Sequence, residues 1–240
     1  MSTPDPTIDL SVVLPAHNEE AVLEEVVREV VATAQALAPG AWEVVVVDDG
    51  STDGTGAILD RLADELDEVS VVHQRPNRGH GPALLTGFSR ARGAWVAHLD
   101  TDDQIPADQL AVVWARRQDA DLVLGMRVER DDPRHRLVVT KVLRALVGRF
   151  AGRPIRDANV PCKLITADLL DEALPLLPAD TFAPSVGLAV VAARRGRTIV
   201  EVPVVHRARP HGESSLKPVR LASALVTSTL QTARLARSLR

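Results

Sequence analysis

The run Glu43-Val44-Val45-Val46-Val47 constrains the fold most. Four β-branched residues in succession lack the in–out alternation of a strand with one wet face and suit a strand covered on both faces. Such strands belong to parallel sheets, where each strand needs a crossover helix before the next. The flanking sequence supplies those helices. Asp48-Asp49-Gly50-Ser51 breaks the run ahead of a helical pattern over about Thr55 to Asp67. Upstream, the apolar stretch Ile8 to Leu14 leads to Asn18, Glu19 and Glu20 as helix-start signals. Val22, Leu23, Val26, Val27, Val30 and Ala34 then recur at helical spacing until Pro39-Gly40. Downstream follow a strand at Val69 to His73, a helix over Pro82 to Ala91 and a strand at Ala94 to Leu99. This βαβαβαβ order predicts an α/β protein with a parallel sheet between two helical layers, and 240 residues can bury such a core as one domain.

The second half is less regular. A helix near Asp108 to Gln118 precedes a strand at Asp121 to Met126, and an arginine-rich segment leads into a helix over about Arg136 to Phe150. Strand-like Val160 to Ile165, a helix from Asp168, another over Ser185 to Arg194 and a strand at Thr198 to Val205 follow, with a basic amphipathic helix from Leu216.

Chemistry is expected where strands end. In open α/β sheets, ligands bind in the crevice beyond the carboxyl ends of the strands. Three junctions converge there: Pro15-Ala16-His17-Asn18-Glu19, Asp48-Asp49-Gly50-Ser51-Thr52-Asp53-Gly54-Thr55, and Asp100-Thr101-Asp102-Asp103-Gln104. Two carboxylates and an amide oxygen in the last suit a hard divalent cation that completes its shell with water and phosphate oxygens. The plainer alternative is a turn whose acids cap the helix near Asp108. No Gly-x-Gly-x-x-Gly follows the first strand and no lysine phosphate loop is present, so neither a dinucleotide oxidoreductase nor a P-loop protein is indicated.

Composition narrows the partners. One cysteine, Cys162, leaves no internal disulfide or cysteine zinc cluster and implies a reducing compartment. No run approaches the ~20 apolar residues of a membrane span, and the polar start lacks a secretory pattern, so a cytoplasmic protein is expected. Three Trp, three Phe and no Tyr make a poor stacking surface for single-stranded nucleic acid. Residues 1 to 72 carry sixteen acids against two bases, whereas 205 to 240 carry seven bases against one acid. With a net charge of −4, the basic end points to an anionic small molecule or membrane surface and away from nucleic acid.

The segments "SVVLPAHNEE", "VVVVDDGSTDGT", "NRGHGPALLTGF" and "AWVAHLDTDDQIP", in this order, resemble the nucleotide-sugar half of the family 2 inverting glycosyltransferases, which have the GT-A fold. "GMRVERDDPRHRLVVT", "RDANVPCKLI" and "VEVPVVHRARPHGESS" resemble the polyprenyl-phosphate sugar transferases, such as the dolichyl-phosphate mannose synthases. The resemblance implies a single GT-A domain with a nucleotide-sugar-binding half at 8–105, an acceptor half at 106–215 and the basic helix at 216–240. It assigns Pro15, Asn18 and Glu19 to the nucleoside pocket, Asp49 to the base or ribose, and Asp100, Asp102 and Gln104 to Mg²⁺ or Mn²⁺. Arg127, Arg136 and Thr140 match positions that hold the acceptor phosphate, and Arg209 matches a basic residue in a loop over the donor. Taken singly, each arginine is equally a solvated or ion-paired side chain.

Two residues depart from the family pattern. Ser215 follows Ser214 where a lysine is usual, and Lys163 stands where an arginine is usual. The implied reaction moves a sugar from a nucleoside diphosphate to a phosphate-bearing acceptor, most simply polyprenyl phosphate. An ionised phosphate needs no strong base; Asp157 and Asp180, read as turn or capping residues, are the candidate bases if the acceptor is instead a hydroxyl. A soluble transferase acting on a small-molecule hydroxyl and a catalytically silent sugar-nucleotide scaffold are the alternatives. His17, His80 and His98 are scattered in sequence and are not read as a zinc site. Cys162 is read as a buried side chain and Trp42, Trp95 and Trp114 as packing residues. The C-terminal helix is read first as packing on the domain and second as contacting an anionic membrane surface.

Overall fold

The computed structural model describes residues 5–127, 144–207 and 218–239, with backbone alone described over 218–226. The first half follows the expected alternation: β1 (Leu10–Ala16), α1 (Leu23–Leu37), β2 (Trp42–Asp48), α2 (Thr55–Glu65), β3 (Val69–His73), α3 (His80–Arg90) and β4 (Trp95–Leu99). Every residue of β1 and of β2 is buried, which accounts for the unbroken valine run. The acid that opens β2 is satisfied. Glu43 accepts from Ser11 Oγ at 2.6 Å, from the Arg92 amide at 2.7 Å and from the Arg92 guanidinium at 2.9 and 2.7 Å, closing the sheet's N-terminal edge.

The seven strands run in the order β3-β2-β1-β4-β6-β5-β7, with β5 at Leu122–Arg127, β6 at Cys162–Thr166 and β7 at Ile199–Val204. Strands β1 to β4 are mutually parallel, and β5 is parallel to β7. Strand β6 runs antiparallel to both β4 and β5, so the sheet is mixed rather than wholly parallel. The helix expected over 108–118 is shorter: α4 covers Gln109–Trp114, and a 3₁₀ turn covers Arg117–Asp119. Helix α5, described over 144–151, α6 (Ala167–Ala173), α7 (Pro184–Arg194) and α8 (Pro218–Ser238) complete the chain. On α8, Thr232, Leu235 and Ala236 are buried and Leu230 is 53% exposed, so this part of the helix packs on the domain.

Chain order makes β1 the switch point: its chain leaves toward β2, and β4 returns on its other side. The crevice of the Brändén rule therefore opens between the carboxyl ends of β1 and β4. Helix α3 lies close over this part of the sheet. A Cβ placed on Gly87 would come 2.2 Å from Val13 Cγ1, and valine has little rotamer freedom to yield. Gly87→Ala should therefore lower stability. Alanine's helix propensity returns about 1 kcal/mol, against about 1–3 kcal/mol for overpacking. Urea unfolding should show a net loss, and equal or greater stability would contradict this packing.

Candidate active site

The three junctions meet as the sequence leads one to expect, and they do so through side chains that grip neighbouring backbone. Pro15 is buried near the end of β1, and its carbonyl accepts from the buried Thr101 hydroxyl at 3.1 Å, joining the loops after β1 and β4. Asn18 has a left-handed φ of 54°, which asparagine tolerates well. Its Oδ1 accepts from the Thr52 amide at 2.8 Å, while its own amide donates to Ser51 Oγ at 3.0 Å. The Glu19 amide donates to Thr55 Oγ1 at 2.9 Å. The loops after β1 and β2 are thereby laced into one surface.

Asp49 is buried, and its two carboxylate oxygens accept from the amides of Arg78 (2.8 Å) and Gly79 (2.7 Å). It fixes the loop that leads into α3. Behind it, Asp48 is fully buried and binds the Ser51 amide and His73 Nδ1, while His73 Nε2 lies 2.9 Å from Asp60. The hydrogen bond to Asp48 raises the His73 pKa above its ordinary value, with burial opposing and Asp60 assisting.

That shift gives a signed expectation. A group whose folded pKa is raised stabilises fully below its ordinary pKa, here 6.5, and loses that contribution as pH rises through the folded value. His73→Gln should therefore be destabilised relative to the parent at about pH 5.5, with the gap narrowing by about pH 8.5. The imidazole is partly exposed, so the change should be about 1 kcal/mol or less. A gap that widens with pH in denaturant titrations would overturn the pairing.

Asp100 leaves β4 directly into the crevice with 27% of its side chain exposed. Its Oδ1 lies 2.9 Å from His98 Nε2 and 3.9 Å from His80 Nε2. Burial pushes this carboxyl up, but the neighbouring His80 and His98 imidazoles and the Lys163 ammonium outweigh it and hold it well below the usual carboxylate range. Asp102 Oδ1 accepts from the Gln104 amide at 3.2 Å, and the Gln104 carbonyl accepts from the Arg207 amide at 2.7 Å.

Reading the histidines as scattered needs correction. Helix α3 brings His80 beside Asp100, and His98 is only two residues away on β4, so the ligating atoms of His80, His98 and Asp100 lie within 4.8 Å of one another. Eighteen residues of sequence conceal this, because a crossover helix begins at the same sheet edge where the next strand ends. The donor set fits a divalent cation. Asp100 is held toward its charged form and His80 adds an imidazole at the mouth, while Asp102, on the same loop, lies outside this group of ligating atoms.

The remaining expected residues divide. Arg127 closes β5 and gives two hydrogen bonds, at 2.8 and 3.0 Å, to Asp157. Its ion-paired reading is therefore what the structure displays, and Asp157 is the buried partner in that pair. Arg136, Thr140 and Arg209 lie outside the described residues. Lys163 is fully buried, with Nζ 3.0 Å from His98 Nδ1 and 2.7 Å from Ser185 Oγ. Neither contact is written in a short motif. The available signal was a lysine and a histidine inside otherwise apolar strands, since buried polar groups must pair. Cys162 is buried, and burial pushes its thiol up to about 12, which removes it as a nucleophile. Trp42 and Trp114 are buried, with the Arg117 guanidinium 4.5 Å from the Trp114 ring centre.

A mixed α/β sheet with a carboxylate pair at its switch point is the architecture of GT-A glycosyltransferases, and a solved member agrees. A mannosyltransferase from Pyrobaculum calidifontis, in complex with GDP-Man and Mn²⁺, superposes with a TM-score of 0.61 at 23% identity, covering 99% of this chain and 76% of that one. Residues 11–172 match the family described as Glycosyl transferase family 2, and the chain belongs to it. An undecaprenyl-phosphate 4-deoxy-4-formamido-L-arabinose transferase of Sodalis glossinidius is 32% identical over 233 residues, covering 95% of this chain and 69% of the relative. Its namesake in Salmonella dublin is 31% identical over 219 residues, covering 90% of this chain and 65% of the relative. The chain spans about two thirds of the length of these relatives.

Proposed function

We propose that this chain transfers a sugar from a nucleoside diphosphate to polyprenyl phosphate, with inversion at the anomeric carbon. The observation that carries the reading is Asp100, an ionised carboxylate set at the switch-point crevice beside His80. Family membership supports sugar transfer, and the relatives' undecaprenyl-phosphate acceptor supports a lipid phosphate. Pro15, Asn18 and Glu19 would line the nucleoside pocket, and Asp49 would shape it by holding the Arg78-Gly79 backbone. Asp100, Asp102 and Gln104 would hold Mn²⁺ or Mg²⁺, and the imidazole of His80 tilts the choice toward Mn²⁺. When bound, the cation would neutralise charge that develops on the departing diphosphate.

In the proposed step, the bond from the anomeric carbon to the diphosphate oxygen breaks and its electron pair leaves with the nucleotide. An acceptor phosphate oxygen bonds to the opposite face. That oxygen is already ionised, so no side chain need take a proton. Both oxygens of Asp157 are engaged by Arg127, which suits a site without a carboxylate base there. Arg136 and Thr140 would hold the acceptor phosphate, where guanidinium offers a two-pronged contact, and Arg209 would cover the donor.

Among the described residues no helix is long and apolar enough to cross a membrane. Exposed Leu230, Arg234 and Arg237 on α8 suit peripheral contact with an anionic membrane from the cytoplasmic side, where a lipid acceptor would be met.

Asp102→Ala should reduce kcat/KM by more than tenfold, that is by more than about 1.4 kcal/mol of transition-state stabilisation, while unfolding in urea stays near the parent's. Retention of more than a tenth of the activity would remove Asp102 from the cation site. The acceptor has its own test. Arg136→Ala should raise KM for polyprenyl phosphate at least tenfold and leave donor KM within about twofold, with Arg136→Lys recovering only part of the loss. Equal weakening of both substrates would place Arg136 at the diphosphate, and equal rates on an unphosphorylated polyprenol would reject the phosphate acceptor.

A further inference from the structure

Strand β6 is inserted antiparallel between β4 and β5, and its register sets Lys163 directly opposite His98. Residues paired in this way project from the same face of the sheet. Both side chains are about 1% exposed, and each has hydrogen-bond partners within the chain. The Lys163 ammonium can only donate, and it has two acceptors in reach: His98 Nδ1 at 3.0 Å and Ser185 Oγ at 2.7 Å. A nitrogen that accepts carries no hydrogen, so the imidazole hydrogen of His98 must sit on Nε2. That nitrogen lies 2.9 Å from Asp100 Oδ1 and donates to it.

We propose that Lys163 and His98 form a buried positioning relay that orients Asp100, committing Oδ1 to the protein and presenting Oδ2 to the cation and diphosphate. The proposal rests on the cation site advanced above and adds two residues with no assigned role. His98 is on this view a hydrogen-bond donor to the ligating carboxylate and not a ligand itself, although it stands within ligating distance of His80 and Asp100. Outer partners of this kind fix the orientation and charge of a metal-binding group. Burial also keeps the relay dry. Burial, with the Lys163 charge beside it, lowers the His98 pKa, in the same sense as the geometry, which leaves the ring's hydrogen only Nε2. Burial lowers Lys163 to about 8, which leaves it mostly protonated at neutral pH.

An arginine at position 163 would keep the charge and several donors, whereas methionine has similar length and removes both. Lys163→Met removes the cost of burying a charge but leaves His98 Nδ1 and Ser185 Oγ without their donor, so it is expected to fold with lowered stability. Two measurements on the full chain test the relay. In the first, nitrogen-15 NMR of the His98 ring reports the tautomer. The parent protein should show hydrogen on Nε2, and Lys163→Met should lose that preference. In the second, Mn²⁺ alone is titrated and followed by electron paramagnetic resonance. Lys163→Met should bind it about 10–100-fold more weakly, and Lys163→Arg within about threefold of the parent.

A purely structural Lys163 would shift the unfolding midpoint and leave Mn²⁺ affinity unchanged, which would overturn the proposal. Hydrogen on Nδ1 in the parent would also overturn it, and so would a Zn²⁺-induced move of that hydrogen to Nδ1, because His98 would then be a ligand. If Lys163→Met fails to fold, the parent tautomer and the Lys163→Arg affinity still decide. Failure of the parent itself to bind Mn²⁺ would reject the cation site, and the tautomer would then decide the relay separately.

Discussion

Everything at the candidate site depends on one strand. β1 has all seven residues buried and pairs in parallel with β2 on one side and β4 on the other. A parallel strand cannot turn back on itself, so the chain must cross over a face each time, and the direction of winding reverses at β1. Reversal leaves the carboxyl ends of β1 and β4 uncovered by a crossover. The loops that emerge there have backbone amides and carbonyls that need partners beside a low-dielectric core. Asn18, Asp49 and the Thr101 hydroxyl meet that demand, and in doing so they fix the walls of the crevice.

The second dependence is electrostatic. A carboxylate close to a core would ordinarily take up a proton, and burial does push Asp100 that way. Three nitrogen-bearing side chains reverse the outcome. Two come from the same sheet edge, and the third, Lys163, arrives only because β6 runs against its neighbours and threads a charged residue between two parallel blocks. The antiparallel strand thus adds the Lys163 charge to the larger effects of His80 and His98 on Asp100.

This explains what could be read from the sequence. The valine run of β2 and its Asp48-Asp49 end expose their meaning locally, because burial on both faces and a strand-terminating turn are properties of adjacent residues. The strand end before Asp100 was legible for the same reason, since β4 stops at Leu99. β6 could be seen as strand-like, but its direction and register depend on partners 65 residues away, and so did the pairing of His98 with Lys163. Arg127 shows the opposite limit. It matched a position that holds the acceptor phosphate, and in the folded chain a carboxylate from residue 157 reaches it.

That arginine also separates the two halves of the site. Asp157, which holds Arg127, sits in a turn whose amides at Arg156 and Asp157 donate to Glu201 on β7. The network is anchored on β5 and β7, at the far end of the sheet from the β1–β2 loops that would receive a nucleotide. The two networks are joined through β6, whose Lys163 reaches toward Asp100. Substitutions around residues 127, 156, 157 and 201 should thus reshape the β5–β7 side, where the proposed acceptor would be met, while the switch-point loops keep their mutual hydrogen bonds. On the proposed function, the donor and acceptor surfaces would thus draw on different strands, with β6 between them.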